Sequence, residues 1–254
     1  MGPKMRMSRV VSVVDLSPHM KRIIVTGEEL TDISESKKSA HVKAIFPHPD
    51  DVNKMPRLGL YFGFKKYMRS YTIRAFDKQS LQLTLDFAVN DHQGLASNWA
   101  ANAQVGDHLG IAGPGDTKHT DLNADKHLFF GDFTALPAIA ATLEMLPKQA
   151  QGRAWIQVPE QSDIQQFNGP DDVEINWLVT PNKLSEEFLT ALASQPKQLK
   201  DTAIFIAAEA QVVRQLKAYL NDHCDYDKKR LYASAYWRSK KVTKLVTFFV
   251  FQLT

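Results

Sequence analysis

Met68-Arg69-Ser70-Tyr71-Thr72-Ile73-Arg74, the polar run Asp77-Lys78-Gln79-Ser80 and the alternating Leu81-Gln82-Leu83-Thr84-Leu85-Asp86-Phe87 read together as a β-hairpin. Asp77 to Ser80 are expected to turn the Tyr71 strand back on the Leu81 strand, whose Leu81, Leu83, Leu85 and Phe87 fall on one side. We expect Arg69, Tyr71, Thr72 and Arg74 to project from one face of the first strand, which then offers two guanidiniums, a flat ring and a hydroxyl. A diphosphate suits bidentate cationic donors, and a fused heteroaromatic ring suits a stacking surface with a hydrogen-bonding group at its reactive edge. A flavin dinucleotide seat is one reading of this stretch. An edge strand with solvated arginines and a half-buried tyrosine is the other, and these residues alone leave both open.

Outward from this stretch, Val10–Val14, Lys21–Thr26 and His41–Phe46 add strands, while the polar run Thr31–Ser39 reads as an exposed loop. Short strands joined by turns predict an antiparallel β-barrel for this half. Gly94-Leu95-Ala96-Ser97-Asn98-Trp99-Ala100 opens a short helix whose N-terminus could receive an anion, or which is simply an ordinary capped helix. Val105 to Ala112 returns as turn and strand, and Gly113-Pro114-Gly115 with the polar residues to Asp125 reads as a boundary. The chain is accordingly divided at 5–122 and 123–254.

After Lys126 the period changes. Leu128-Phe129-Phe130 precedes a helix over Leu136–Met145, Trp155–Val158 follows, Trp177–Val179 precedes Ser185–Ala193, and Ile204–Ala208 precedes Glu209–Leu220. Strands separated by helices of this length predict an open parallel-sheet α/β unit. The whole is therefore a two-domain α/β chain, with the barrel first. Such sheets bind ligands at the carboxyl ends of their strands, which directs attention to Gly131-Asp132 and Ala208-Glu209. The common Gly-x-Gly-x-x-Gly dinucleotide fingerprint does not occur.

A formal charge of +3 favours anionic ligands but falls short of the clustered basic footprint of a nucleic-acid binder. One cysteine, Cys224, allows no intramolecular disulfide and no cysteine-based metal pair, which fits a reducing cytoplasm. The apolar run Leu245–Leu253 is well short of the roughly 20 residues a membrane helix needs, so no integral membrane segment is expected. The run Val10–Val14 is interrupted by Asp15 before it reaches signal-peptide length. No catalytic triad, paired-carboxylate motif or metal-ligand spacing is evident; His41, His48, His92, His108, His119, His127 and His223 are scattered.

In order along the chain, these segments resemble the siderophore-interacting proteins, flavin-dependent ferric-siderophore reductases of the ferredoxin-NADP reductase-like group. The resemblance rests on Ser17-Pro18-His19-Met20-Lys21-Arg22, Thr26-Gly27-Glu28-Glu29-Leu30, His41-Val42-Lys43 with Phe46-Pro47, and Arg69-Ser70-Tyr71-Thr72-Ile73-Arg74. It continues through Asp86-Phe87, Gly94 to Ala100, Gly106-Asp107, Gly113-Pro114-Gly115, Gly131-Asp132-Phe133-Thr134-Ala135-Leu136-Pro137-Ala138-Ile139, and Tyr232-Ala233-Ser234-Ala235-Tyr236-Trp237-Arg238.

The resemblance implies an FAD cofactor. Arg69 would meet its pyrophosphate, Tyr71 would stack near the isoalloxazine, Thr72 would approach flavin N5, and Arg74 would secure the phosphate side. Asp86, Asn90, Gly94, Ala96, Ser97, Tyr236 and Trp237 complete the implied FAD set, while Gly131, Asp132, Thr134, Ala135 and Glu209 would receive NADPH or NADH. Ferric siderophores are often anionic, so the substrate mouth is expected among Lys65, Lys66, Lys118 and Arg238, with Lys240 and Lys241 following. Departures from the family pattern are Asn90-Asp91 for a His-Gly pair, Leu95 for Pro, Phe133 for an acidic residue, and the tail from Ser239 onward.

The activity so implied is reduction of a ferric siderophore, releasing ferrous iron with electrons from NAD(P)H or a reduced ferredoxin passed through FAD. Two alternatives stay open at this point: a flavin reductase serving a small electron-carrier protein, and a non-catalytic ferric-siderophore carrier.

Overall fold

The structure is a computed structural model and describes residues 4–57, 64–89, 94–115, 120–181 and 185–239. In the first half, β1 (Met5–Ser17), β2 (Met20–Thr26), β3 (His41–Ile45), β4 (Met68–Thr72), β5 (Ala75–Asp77), β6 (Gln82–Ala88) and β7 (His108–Ala112) form one sheet. Its order is β4-β3-β7-β1-β2-β6-β5, and every pair is antiparallel. The sheet is barrel-like, and no ladder joins β4 to β5 among the described residues. Ile73 N–H donates to Ala40 and Arg74 N–H to Thr84, so the chain between those strands spans the gap between the two edges. Val10, Ile23, Val25, Val42, Leu83, Leu85, Phe87 and Ile111 alternate inward to fill the interior.

The expected hairpin is corrected here. Asp77 to Ser80 does turn the chain, its Asp77 carboxylate accepting from Gln79 N–H at 2.8 Å and Ser80 Oγ at 2.6 Å, but the turn joins β5 to β6. The Tyr71 strand, β4, pairs instead with β3, Thr72 opposite His41 and Arg69 opposite Ala44. The shared face is corrected too. Alternation sends Tyr71 inward against Phe87 and Thr72 to the opposite face, which it shares with Ser70, the acceptor of Lys43 Nζ at 2.5 Å.

The second half holds β8 (Lys126–Gly131), β9 (Gln151–Val158), β10 (Val173–Val179), β11 (Gln198–Leu199), β12 (Thr202–Glu209), β13 (Asp225–Tyr226) and β14 (Leu231–Trp237). Five of these form a parallel sheet of order β10-β9-β8-β12-β14, and β11 pairs with β13. The helices are α1 (Leu95–Asn102) in the first half, then α2 (Leu136–Leu143), α3 (Ser185–Ala193) and α4 (Ala210–His223). The chain leaves β8 toward β9 and β10, then crosses back to β12, so the strand order reverses between β8 and β12. Gly131 ends β8 because a Cβ there would lie 2.4 Å from Ile139 Cδ1 of α2 and 3.2 Å from the Ala207 carbonyl.

Every residue of α2 is buried, which suits its composition: all are apolar but Thr142, whose hydroxyl donates back to the Ala138 carbonyl at 2.7 Å. The helix shares a core with Phe129, Ala154, Ile156 and Phe205, and also with Met20 of β2 in the first half. No described helix is long and apolar enough to cross a membrane.

Candidate functional site

Tyr71 belongs to an aromatic group with Phe87 at 4.2 Å, Phe46 at 6.3 Å and, through these two, Trp99 of α1 at 5.7 and 5.4 Å between ring centroids. Burial pushes the Tyr71 hydroxyl up, against the opposing pull of the Arg69 charge. This packing links α1 to β4 through the rings of Phe46 and Phe87. The cap residue Gly94 is extended (φ −126°) and has no side chain to accept the N–H groups of the first turn, where Ala96 is buried. Arg69 is exposed, its Nη1 held at 2.8 Å by the carbonyls of both Lys66 and Met68. A guanidinium on β4 and a helix N-terminus without a side-chain cap are both groups of the kind that suit a diphosphate.

Thr72 is buried at 7% exposure and lies on the face toward the second half, where Tyr236 of β14 reaches over. The Tyr236 hydroxyl lies 3.3 Å from His41 Nε2, with the rings edge-on at 5.9 Å. Burial, then the neighbouring Tyr232, drives that hydroxyl well above its ordinary range, so it remains a neutral donor. Thr72, His41 and Tyr236 thus converge where the two sheets meet. A hydroxyl pair beside an aromatic edge is chemistry that can address the polar rim of a flavin ring.

Asp132 follows β8 and is a four-donor hub. Its Oδ1 accepts from Thr134 N–H at 3.0 Å and Thr134 Oγ1 at 2.6 Å, and its Oδ2 accepts from Glu209 N–H at 2.9 Å and Trp237 Nε1 at 2.7 Å. Burial raises the carboxyl and these hydrogen bonds oppose it. Glu209, also buried, accepts Gln211 N–H at 2.7 Å and both Ser239 N–H and Oγ at 3.1 Å. The two carboxylates therefore bind the ends of β8, β12 and β14 together. Trp237 is left 37% exposed above them.

Not all expected residues join this centre. Asp86 is buried and accepts from Arg22 through both oxygens at 2.7 and 2.8 Å, an ion pair between β2 and β6. Arg74 is held by carboxylates: Nη1 donates to Glu144 Oε2 at 2.6 Å, Nη2 to Glu144 Oε1, and Nε lies 3.8 Å from Asp86. Lys66 is exposed with its ammonium 4.9 Å from the Tyr67 ring, Lys65 stands on the same turn, and Arg238 is exposed beyond Trp237. Asn90, Lys118, Lys240, Lys241 and the apolar tail lie outside the described residues.

Two residues that sequence reading did not single out, Glu144 and Asp163, close the seam. Glu144 accepts Lys38 Nζ at 2.7 Å as well as Arg74. Asp163, fully buried, accepts Ser17 Oγ at 2.6 Å, His19 N–H at 3.2 Å, and sits 2.8 Å from His19 Nδ1. His19, Glu160 and Asp163 bring ligand atoms within 4.8 Å of one another, but the Asp163 oxygens are already engaged by these groups. Such partners are 70 to 146 residues apart, so no local motif announces them.

Two family models match the chain: the siderophore-interacting FAD-binding domain over residues 9–118 and the siderophore-interacting protein over residues 124–240. The ferric vibriobactin reductase ViuB of Vibrio cholerae is 30% identical over 234 residues, covering 89% of this chain and 86% of that protein. The NADPH-dependent ferric-chelate reductase of Escherichia coli is 30% identical over 239 residues, covering 91% and 92%. The crystal structure of the siderophore-interacting protein SipS from Aeromonas hydrophila superposes with a TM-score of 0.80 at 31% identity, covering 94% of this chain and 93% of that one.

Proposed function

Because the chain belongs to the siderophore-interacting protein family, we propose that it is an FAD-dependent reductase that takes electrons from NADPH and passes them to a ferric siderophore, releasing ferrous iron. The observation that carries this reading is the convergence of Thr72, His41 and Tyr236 beside the Asp132–Trp237 hub, at the reversal of strand order. Bound FAD would supply the conversion of a two-electron hydride donor into a source of single electrons.

In this reading residues 5–122 form the FAD half and 123–254 the nucleotide half. Arg69 and the first turn of α1, from Gly94 to Ser97, hold the pyrophosphate, and the Thr72 hydroxyl faces N5 with Tyr71 packed behind it. Tyr236 and Trp237 border the flavin from the second half. Gly131, Thr134 and Ala135 shape the nicotinamide pocket, while Asp132 and Glu209 act on it indirectly by holding its rim. Lys66 and Arg238, both exposed, attract the anionic iron complex, with Lys65 next to Lys66 in the chain and Lys118 proposed to add to them. A cytoplasmic location supplies the reduced nicotinamide and suits the lone Cys224.

The test is the anaerobic visible spectrum of purified protein. Oxidised-flavin bands that NADPH bleaches and a ferric siderophore then restores are expected. Folded protein without flavin bands would overturn the assignment, and bands that neither NADPH nor NADH bleaches would remove the nicotinamide donor and leave a protein donor such as ferredoxin.

A further inference from the structure

Glu144 is the C-cap residue of α2, where a carboxylate faces the negative end of the helix dipole. Its two cationic partners explain the placement. Arg74 donates both terminal nitrogens to it and Lys38 a third hydrogen bond at 2.7 Å, with the Arg74 and Glu144 side chains only 14% and 15% exposed. Burial alone would raise the Glu144 carboxyl, and the hydrogen bonds from Arg74 and Lys38 outweigh it, leaving it below its ordinary value. Both cations belong to the first half, and α2 belongs to the second.

What the pair connects matters more than its strength. Arg74 lies two residues after Thr72, on the link whose backbone N–H is pinned to Thr84. Glu144 lies one helix length from the Asp132–Ala135 loop, about 12 Å for eight residues. Because α2 is entirely buried it behaves as a rigid rod, so a shift at its C-cap moves the loop at its start.

We propose that Glu144 is a positioning residue: by gripping Arg74 and Lys38 it fixes the Asp132–Ala135 loop relative to Thr72 and so sets the separation across which hydride passes from NADPH to FAD. This rests on the reductase reading above. Glu144 is not among the residues assigned above to either nucleotide, its partners being Arg74 and Lys38, so its removal disturbs the alignment of the two sites and leaves each site intact.

The test pairs kinetics with a distance. In Glu144→Gln, flavin content stays at the wild-type level and flavin reduction by NADPH slows by about tenfold or more, since misplacement of about 1 Å costs up to about a hundredfold. Reoxidation by a ferric siderophore after dithionite reduction stays within about twofold of wild type. Spin labels at Val105→Cys and Val179→Cys, in a Cys224→Ser background, report the separation of the halves by pulsed electron resonance without any ligand. The distance distribution is expected to broaden in Glu144→Gln. An unchanged distribution, or a broadened one with unchanged bleaching by NADPH, overturns the inference. If NADPH fails to bleach even the wild type, the donor assignment falls, and the label distances then decide the role of Glu144 alone. Should Glu144→Gln not fold, Lys38→Met removes one of the two cations and is expected to give intermediate broadening; wild-type distances there overturn the inference.

Discussion

The hydroxyl of Tyr236 lies 3.3 Å from Nε2 of His41, joining the last strand of the parallel sheet to the third strand of the antiparallel one. Tyr236→Phe keeps the ring in place and removes this contact and the one to Thr72. The unfolding free energy is expected to fall by about 1 kcal/mol, measured by urea titration. A larger visible-band shift of bound flavin than in Trp237→Phe is expected with it, because Tyr236 stands next to Thr72.

Arg69 and Arg74 sit five residues apart yet are expected to fail in different assays. Arg69→Lys loses the planar fork and should weaken FAD binding about tenfold to a hundredfold, by fluorescence titration, with thermal stability retained. Arg74→Met leaves Glu144 with only Lys38 and should cost about 3 kcal/mol of stability, seen by differential scanning calorimetry. FAD affinity lost equally in both variants would contradict this division.

Asp132 accepts four hydrogen bonds, and an asparagine can accept on one oxygen only. Asp132→Asn turns an NH2 group toward existing donors and is expected to cost about 3 kcal/mol, whereas Trp237→Phe, which removes a single donor, costs about 1 kcal/mol. Chemical denaturation of both variants checks the ratio.

His127 is fully buried, its Nε2 2.7 Å from the Ala124 carbonyl and its Nδ1 without a hydrogen-bond partner among the described residues. Burial pulls this imidazole below its ordinary value, and the Ala124 carbonyl opposes the pull. The folded value is depressed, so the associated stability is present above the unfolded value of about 6.5 and is lost as pH falls from there through the lower folded value. Unfolding midpoints recorded between about pH 7 and 5 should decline. In His127→Gln, whose amide can still reach Ala124, the decline should be shallower.

Arg238→Ala is expected to raise the KM for an anionic ferric siderophore about tenfold while flavin content holds, as read from steady-state rates and absorbance ratios. An unchanged KM with lost flavin would move Arg238 from the substrate mouth to the cofactor.

The legible parts of the molecule are those set by local pattern. Leu83, Leu85 and Phe87 alternate and are buried, and the runs at Leu128–Phe130 and Ile204–Ala208 lie on adjacent parallel strands as expected. The partner of β4 was not legible, because the break at Ile73-Arg74 lets a single extended sequence serve two edges of the sheet. Asp132, Glu209 and Arg74 were visible as polar residues at ligand-competent places. Their actual partners, Trp237, Ser239 and Glu144, are fixed by how the two sheets dock, a tertiary fact that no spacing rule encodes.

Met20 comes from the antiparallel sheet, yet its side chain is wholly enclosed among Phe129, Ile139 and the other residues of the second core. Cutting the chain at the proposed boundary near residue 122 would leave a methionine-sized hole in one fragment and an uncovered thioether on the other. Neither half is a portable part. For protein engineering, swapping the second half for that of a relative requires carrying the β1–β2 turn along with it.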